Sequence, residues 1–446
     1  MRRGARRAAA ATGLLALLSG SPGSALAAPE PAYVAAEAAN FAASTGRLQA
    51  WLTDPAFLSS PAASDPARDV GAWGAERGRT REVTWENRYG ATISGRLYGP
   101  RTGRGPFPTV VMVSGAGVAK ELYHWVGEDL AEHGYVVLTF DPQGQGASDA
   151  DPAPEYCEPG EWQRPQELGL IEQGSCAGQD PADSAVTSTT EQVQFIAEAR
   201  AGRVDPETIA GTYRALAPRF IFGAFDAASW LLSAADPWRG MVDAGRLGVV
   251  GHSLGSYAAN MVGNGDPRHR FRAAVAMDAF YADDLGVRPR VPTLMMQSEQ
   301  ETLIGPHLEV PTDPRSPTTL HPTRATWQAF RRSDVDAGFL VPAASNHQDF
   351  TDSAQPASFL GQRTASLAMT AWLDRYVAGR PRALARLVAP VAGPSADRSS
   401  IGTGAPMIAG RTLAELLSFN YPSDLWVGGR LCPDLQAQRC RLPARP

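Results

Sequence analysis

Short, almost purely apolar runs recur along this chain at residues 109–113, 135–140, 248–250, 273–277, 293–296 and 339–342. Each is too short for a helix and lacks polar alternation, which is the pattern of strands buried on both faces. Ahead of them, residues 81–86 and 92–98 alternate around Tyr89-Gly90, the pattern of a hairpin. Helical segments separate most of the runs: 123–132, 224–234, the stretch that begins at Gly255, and 358–376. Strands alternating with helices predict an α/β fold built on a mostly parallel, doubly wound sheet. Such a sheet binds ligands beyond the carboxyl ends of its strands.

Some stretches fall outside this alternation. Residues 28–79 are rich in Ala and Pro, with a helix expected around 33–52. Residues 150–222 are longer than a sheet connection needs and carry two helical segments, near 189–201 and 206–216. An inserted cap is expected there, between a core of 80–149 and 223–384. Residues 385–446 form a Pro/Gly-rich tail.

The 446 residues are 43% hydrophobic and 20% charged, an ordinary globular composition. Residues 1–27 read differently. Arg2, Arg3, Arg6 and Arg7 precede an apolar run that includes Leu14 to Leu18, and Ala25-Leu26-Ala27 follows. This predicts a secretory signal peptide cleaved after Ala27, and hence a secreted protein. No later run reaches the length of a membrane span, so integral membrane association is not expected. Cleavage would remove four of the 41 basic residues and no acid, leaving 37 against 46 and a net charge of −9. That balance argues against nucleic acid or an anionic membrane as partner. In an oxidising compartment Cys157, Cys176, Cys432 and Cys440 are expected in disulfides. Three pairings exist, and the local ones, 157–176 and 432–440, close the shortest loops. No zinc spacing occurs among them, and neither a metal nor an organic cofactor is expected.

The chemistry centres on residues 247–259, Leu-Gly-Val-Val-Gly-His-Ser-Leu-Gly-Ser-Tyr-Ala-Ala. A strand runs into Gly251-His252-Ser253-Leu254-Gly255, and a helix follows at once, which is the setting of a nucleophile elbow. In a chain with 44 glycines the five-residue pattern alone is weak; the strand before it and the helix after it give it weight. A serine there stands at a helix N-terminus, where partial positive charge favours a developing oxyanion.

Ser253 needs a base. Of seven histidines, His252 lies inside the elbow, facing away from the serine. His133 ends a helix on the far edge of the sheet, His124 and His269 sit in or beside helices, and His307 and His321 lie in a Pro-rich loop. His347 follows the last strand, before the final helix, where it can reach over the nucleophile. Two positions offer an acid to orient it: Asp278, ending 273–277, and Glu301 (with Glu299) after the next strand. The oxyanion hole is expected from the N–H groups of Leu254 and of Ala116, in Ser114-Gly115-Ala116-Gly117. The Gly-x-Gly of Asp141 to Ser148 fits neither a Walker loop nor a dinucleotide fingerprint, and reads as a turn beside the site.

Together these pieces resemble the α/β-hydrolase superfamily over residues 80–150 and 223–378, including the Asp-x-x-Gly-x-Gly-x-Ser turn at Asp141 to Ser148. Gly251-His252-Ser253-Leu254-Gly255, Met277-Asp278-Ala279-Phe280, Gln297-Ser298-Glu299 and His347-Gln348-Asp349-Phe350-Thr351-Asp352 further resemble the secreted type of platelet-activating-factor acetylhydrolase. That resemblance implies Asp278, rather than Glu301, as the acid. Ser114-Gly115 stands where that family has His-Gly, and the cap is unmatched, so a phospholipid substrate does not follow. The resulting expectation is a secreted serine ester hydrolase with Ser253, His347 and Asp278, acting on a small-molecule or lipid ester. An amidase or peptidase using the same residues is the nearest rival, and a binding protein on a hydrolase scaffold the next. Trp162, Phe195, Phe220, Phe222 and Trp230 have the spacing of core residues and are left out of the site.

Overall fold

The structure, a computed structural model, describes residues 74–151, 198, 203–204, 206–278, 288–299, 325–342, 345, 347–352, 359–388, 412–418, 421–433 and 435. Its strands are β1 (Gly78–Glu86), β2 (Thr92–Pro100), β3 (Phe107–Val113), β4 (Val136–Phe140), β5 (Val242–His252), β6 (Phe271–Met277), β7 (Thr293–Met296), β8 (Ala337–Leu340), β9 (Asp424–Val427) and β10 (Arg430–Cys432). They form one sheet in the order β1-β2-β4-β3-β5-β6-β7-β8-β9-β10. From β4 to β8 every pairing is parallel, while β1, β2, β9 and β10 are attached antiparallel at the two edges. This is an α/β protein, consistent with an α/β-hydrolase-like fold.

The helices are α1 (His124–Glu132), α2 (Pro206–Leu231), α3 (Leu254–Gly265), α4 (Ala325–Arg331) and α5 (Phe359–Tyr376). Two large cores lie on opposite faces of the sheet, and the strands feed them alternately, as a period of two demands. Val110 and Met112 of β3 pack with Trp125 and Leu130 of α1 and Met369 and Trp372 of α5. Val111 and Val113 pack with Phe220 and Ala224 of α2 and Ala258 and Val262 of α3. Burial of a large apolar side chain stabilises by about 1.5–3 kcal/mol, so covering both faces explains the continuous apolar runs. No described helix is long and apolar enough to cross a membrane.

Two stretches differ from the sequence expectation. The helices expected at 206–216 and 224–234 are one helix, α2, which runs through Pro218. Proline inside a helix costs about 3 kcal/mol. Leu216, Phe220, Ile221 and Phe222 are buried against the sheet and offset that cost. The last part of the expected insertion is therefore core, and most of the remainder lies outside the described residues. The tail supplies β9 and β10. Asp424–Val427 is too short to stand out in a Pro/Gly-rich stretch, yet Leu425 and Val427 are buried beside β8. Cys432 is disulfide-bonded; Cys157, Cys176 and Cys440 lie outside the described residues, as do the expected leader and the helix at 33–52.

Gly127 of α1 lies on the face of Tyr98, where a methyl group would come within 2.5 Å of the ring. The ring cannot easily yield, because the Tyr98 hydroxyl is 2.6 Å from His124 Nδ1. Gly127→Ala is expected to destabilise the fold by about 1–3 kcal/mol. Urea unfolding would show a lower midpoint with an unchanged slope, and an unchanged midpoint would refute it.

Candidate active site

β5 ends in Gly251-His252, and α3 starts at Leu254, so Ser253 has to reverse the chain in one residue. It does so at φ 57°, ψ −127°. Such a conformation costs a non-glycine residue about 1–3 kcal/mol and persists only where its surroundings impose it. Here they do. A methyl group on Gly251 would stand 1.9 Å from the Gly255 carbonyl oxygen, and one on Gly255 would stand 2.3 Å from the oxygens of Val113 and Ser114. Ser253 N–H donates to the Met277 carbonyl at 2.9 Å, and its own carbonyl accepts from Ser256 N–H (2.9 Å) and Oγ–H (2.7 Å).

The loop after β3 lies directly on the elbow: a methyl group on Gly115 would be 3.0 Å from Ser253 Cβ. Gly115 N–H donates to Tyr123 Oη at 2.8 Å, and Gly117 N–H to Gln145 Oε1 at 2.7 Å. Ala116 N–H, between them, has no partner among the described residues. Leu254 N–H opens α3 and, as the first helical donor, has no intrahelical acceptor.

The Asp141–Ser148 turn fastens this loop. Asp141 Oδ1 accepts Lys120 N–H at 2.6 Å, and Oδ2 accepts Ala147 N–H and lies 3.1 Å from Lys120 Nζ. Gly146, at φ 51°, approaches the Asp141 carboxylate so closely that a methyl group would stand 2.4 Å from it, which accounts for the glycine of the motif. Burial pushes the Asp141 carboxyl up to about 6 against the pull of Lys120. Burial also opposes the Lys120 charge, but Asp141 and Glu121 outweigh it and hold the ammonium above its ordinary pKa.

Asp278 follows β6 and His347 opens the short 3-10 turn His347–Phe350 after β8. His347 Nδ1 and Asp278 Oδ2 are 2.6 Å apart, and both residues are buried. Ser298 donates twice to the same carboxylate, from N–H (2.6 Å to Oδ1) and from its hydroxyl (2.8 Å to Oδ2). Burial alone would raise Asp278; the His347 hydrogen bond and charge, with the Ser298 N–H, outweigh it and hold the carboxyl below its ordinary value. The carboxylate thus accepts the hydrogen bond of His347 Nδ1–H, and in that tautomer of the neutral imidazole the lone pair lies on Nε2. The His347 loop is docked on the start of α1: Asp352 Oδ2 accepts Trp125 N–H at 2.7 Å, and Trp125 Nε1–H donates to the Phe350 carbonyl at 3.0 Å.

Glu299 is bonded to the Ser418 hydroxyl, and its N–H donates to Ser345 Oγ at 3.0 Å. Glu301, His307 and His321 lie outside the described residues. His124 bonds Tyr98, His133 ends α1, and His269 sits in the turn before β6. Phe220 and Phe222 are core residues, and Trp230 stacks on Trp85 at 4.9 Å; Trp162 and Phe195 lie outside the described residues. Sequence reasoning gave no role to Tyr123, Gln145, Ser298 or Asp352. Ser298, Asp352 and Gln145 do fall within segments that carry the family resemblance, Gln145 at an unspecified position of the Asp141–Ser148 turn; Tyr123 carries no comparable signal.

Lys120→Met is expected to leave a buried carboxylate without its cation, a loss of about 3–5 kcal/mol near pH 8. A carboxyl whose folded pKa is raised binds more protons folded than unfolded, so its ionisation destabilises as pH climbs from about 4 through its folded value. The loss should therefore shrink towards about pH 5, where Asp141 takes up a proton. Urea unfolding at both pH values checks this, and equal losses at both would refute it.

No protein-family model matches the chain. A stretch of 112 residues is 38% identical to hydrolase LUC6 of a Fusarium species, covering 24% of this chain and 26% of that one. A stretch of 77 residues is 39% identical to an uncharacterized protein of Pseudomonas aeruginosa, covering 16% and 20%. The chain spans about a quarter or less of the length of these curated relatives, and the similarity reaches as far as a distant hydrolase.

Proposed function

We propose that the protein is a secreted serine hydrolase that cleaves carboxylic esters, of small molecules or lipids, through an acyl-enzyme on Ser253. One observation carries this reading. Ser253, Asp278 and His347 follow the carboxyl ends of β5, β6 and β8, strands that run parallel in one sheet, and the last two are joined by a buried 2.6 Å hydrogen bond. The Ala116 and Leu254 N–H groups, neither with an acceptor among the described residues, support it further.

In this mechanism Ser253 Oγ attacks the ester carbonyl while His347 Nε2 takes its proton. The imidazolium that forms faces the Asp278 carboxylate, which holds the ring and stabilises its charge. The carbonyl oxygen, now an oxyanion, accepts hydrogen bonds from Ala116 and Leu254 N–H. The tetrahedral intermediate collapses as His347 returns the proton to the leaving alcohol. Water, deprotonated by His347, then attacks the acyl-enzyme, and the carboxylic acid leaves as Ser253 regains its proton.

Release of p-nitrophenol from acetyl to palmitoyl esters tests the reading. Ser253→Ala is expected to lower kcat by roughly 10⁴-fold or more. Asp278→Asn, which keeps the shape but removes the charge, should lose about 10⁴-fold, the size of the equivalent change in serine proteases. Unchanged turnover in Ser253→Ala would sink the nucleophile assignment. Amides cleaved as fast as matched esters would replace the esterase reading with an amidase.

A further inference from the structure

Tyr123 and His252 join the two loops that flank Ser253. Tyr123 Oη accepts Gly115 N–H at 2.8 Å and lies 2.8 Å from His252 Nδ1; His252 Nε2 lies 3.0 Å from the His347 carbonyl oxygen. The two ends are backbone, an N–H that only donates and a C=O that only accepts. That leaves one consistent arrangement of protons: Tyr123 donates to His252 Nδ1, and His252 donates from Nε2 to His347. Both side chains are buried. Burial and the neighbouring His347 push the His252 imidazole well below its ordinary pKa, and burial pushes the Tyr123 phenol up, so the connection stays uncharged. The two histidine rings lie 4.4 Å apart, and an uncharged His252 does not oppose a proton arriving on His347.

We propose that Tyr123 and His252 are positioning residues that tie the Gly115–Ala116 loop to the His347 loop, so that the oxyanion donor and the base keep one spacing across Ser253. This rests on the serine hydrolase reading above. His252 touches neither the reacting serine proton nor the ester; it acts through the His347 backbone. A displacement of about 1 Å in such a constellation costs on the order of 100-fold in rate.

The test is a double-mutant cycle on the full chain with Tyr123→Phe and His252→Ala, read by ester kcat and KM and by the rate at which a fluorophosphonate labels Ser253. Each single variant should lower kcat about 10–100-fold, with KM moved less than about 3-fold and labelling slowed in parallel. The double variant should lose no more than the weaker single variant, because the connection breaks once. His252→Gln keeps a donor for the His347 carbonyl and should recover part of the His252→Ala loss; it replaces His252→Ala in the cycle if that variant does not fold. Losses that multiply, or kcat within about 2-fold of the parent, would overturn the inference. A parent protein that the probe does not label would instead overturn the serine hydrolase reading on which it rests.

Discussion

The site depends on how closely three stretches of backbone approach one another at the end of β5. Gly255 lies under the carbonyls of Val113 and Ser114, Gly251 lies against the Gly255 carbonyl, and Ser253 N–H is bonded to Met277. These are contacts of main chain with main chain. A side chain can rotate away from a clash, whereas a backbone carbonyl held at a strand end or in the first turn of a helix cannot, so nothing larger than hydrogen fits at either glycine. The same contacts fix the ends of β3, β5 and β6 relative to one another. Those ends carry the Ala116 loop, Ser253 and Asp278. The spacing of the candidate groups is therefore set by the sheet, and the strained torsions of Ser253 follow from it.

A second layer decides which buried charges the fold tolerates. Asp278 and Asp141 are both carboxylates withdrawn from water, and burial opposes both. Asp278 accepts from two donors on Ser298 and faces His347, and its pKa falls. Asp141 accepts two backbone N–H groups and pairs with Lys120, but burial outweighs them, Glu121 beside the same lysine adds to it, and the Asp141 pKa rises. Each carboxylate has three donors, and what differs is whether donors and neighbouring charges outweigh burial. The difference separates a group suited to remain anionic beside an imidazole from one whose work is to hold a loop.

The chain declares the parts of this arrangement that have a local cause. Apolar runs locate most of the strands, because burial on both faces leaves no alternation. Gly251 and Gly255 mark the elbow, because only glycine fits. Ser253, Asp278 and His347 each follow a strand that could be read in advance, and the structure brings Asp278 and His347 together. What could not be read has a distant cause. α2 continues past Pro218 because of a sheet surface contributed by β3 and β4. Asp424–Val427 becomes a strand because β8 offers an edge. Tyr123 and Gln145 matter through single bonds to backbone N–H groups, which impose no spacing on the sequence.

The tail shows how far such a cause can reach. Ser418 N–H donates to the Val341 carbonyl, Ser423 Oγ accepts Val341 N–H, and the Ser418 hydroxyl bonds Glu299. Residues 412–418 and 421–427 therefore sit behind both the loop that carries Ser298 and the loop that carries His347. Glu299, a carboxylate at the end of a strand and so a plausible partner for the imidazole on sequence grounds, is engaged by this contact. Ser345 joins the same patch, accepting Glu299 N–H and donating to the Pro342 carbonyl. A loop that presents a base must resist rotation about its own backbone. Here part of that resistance comes from a segment some 70 residues further along the chain, paired into the sheet's edge. The stretch that looked least structured in the sequence thus supports the loop on which the proposed base stands.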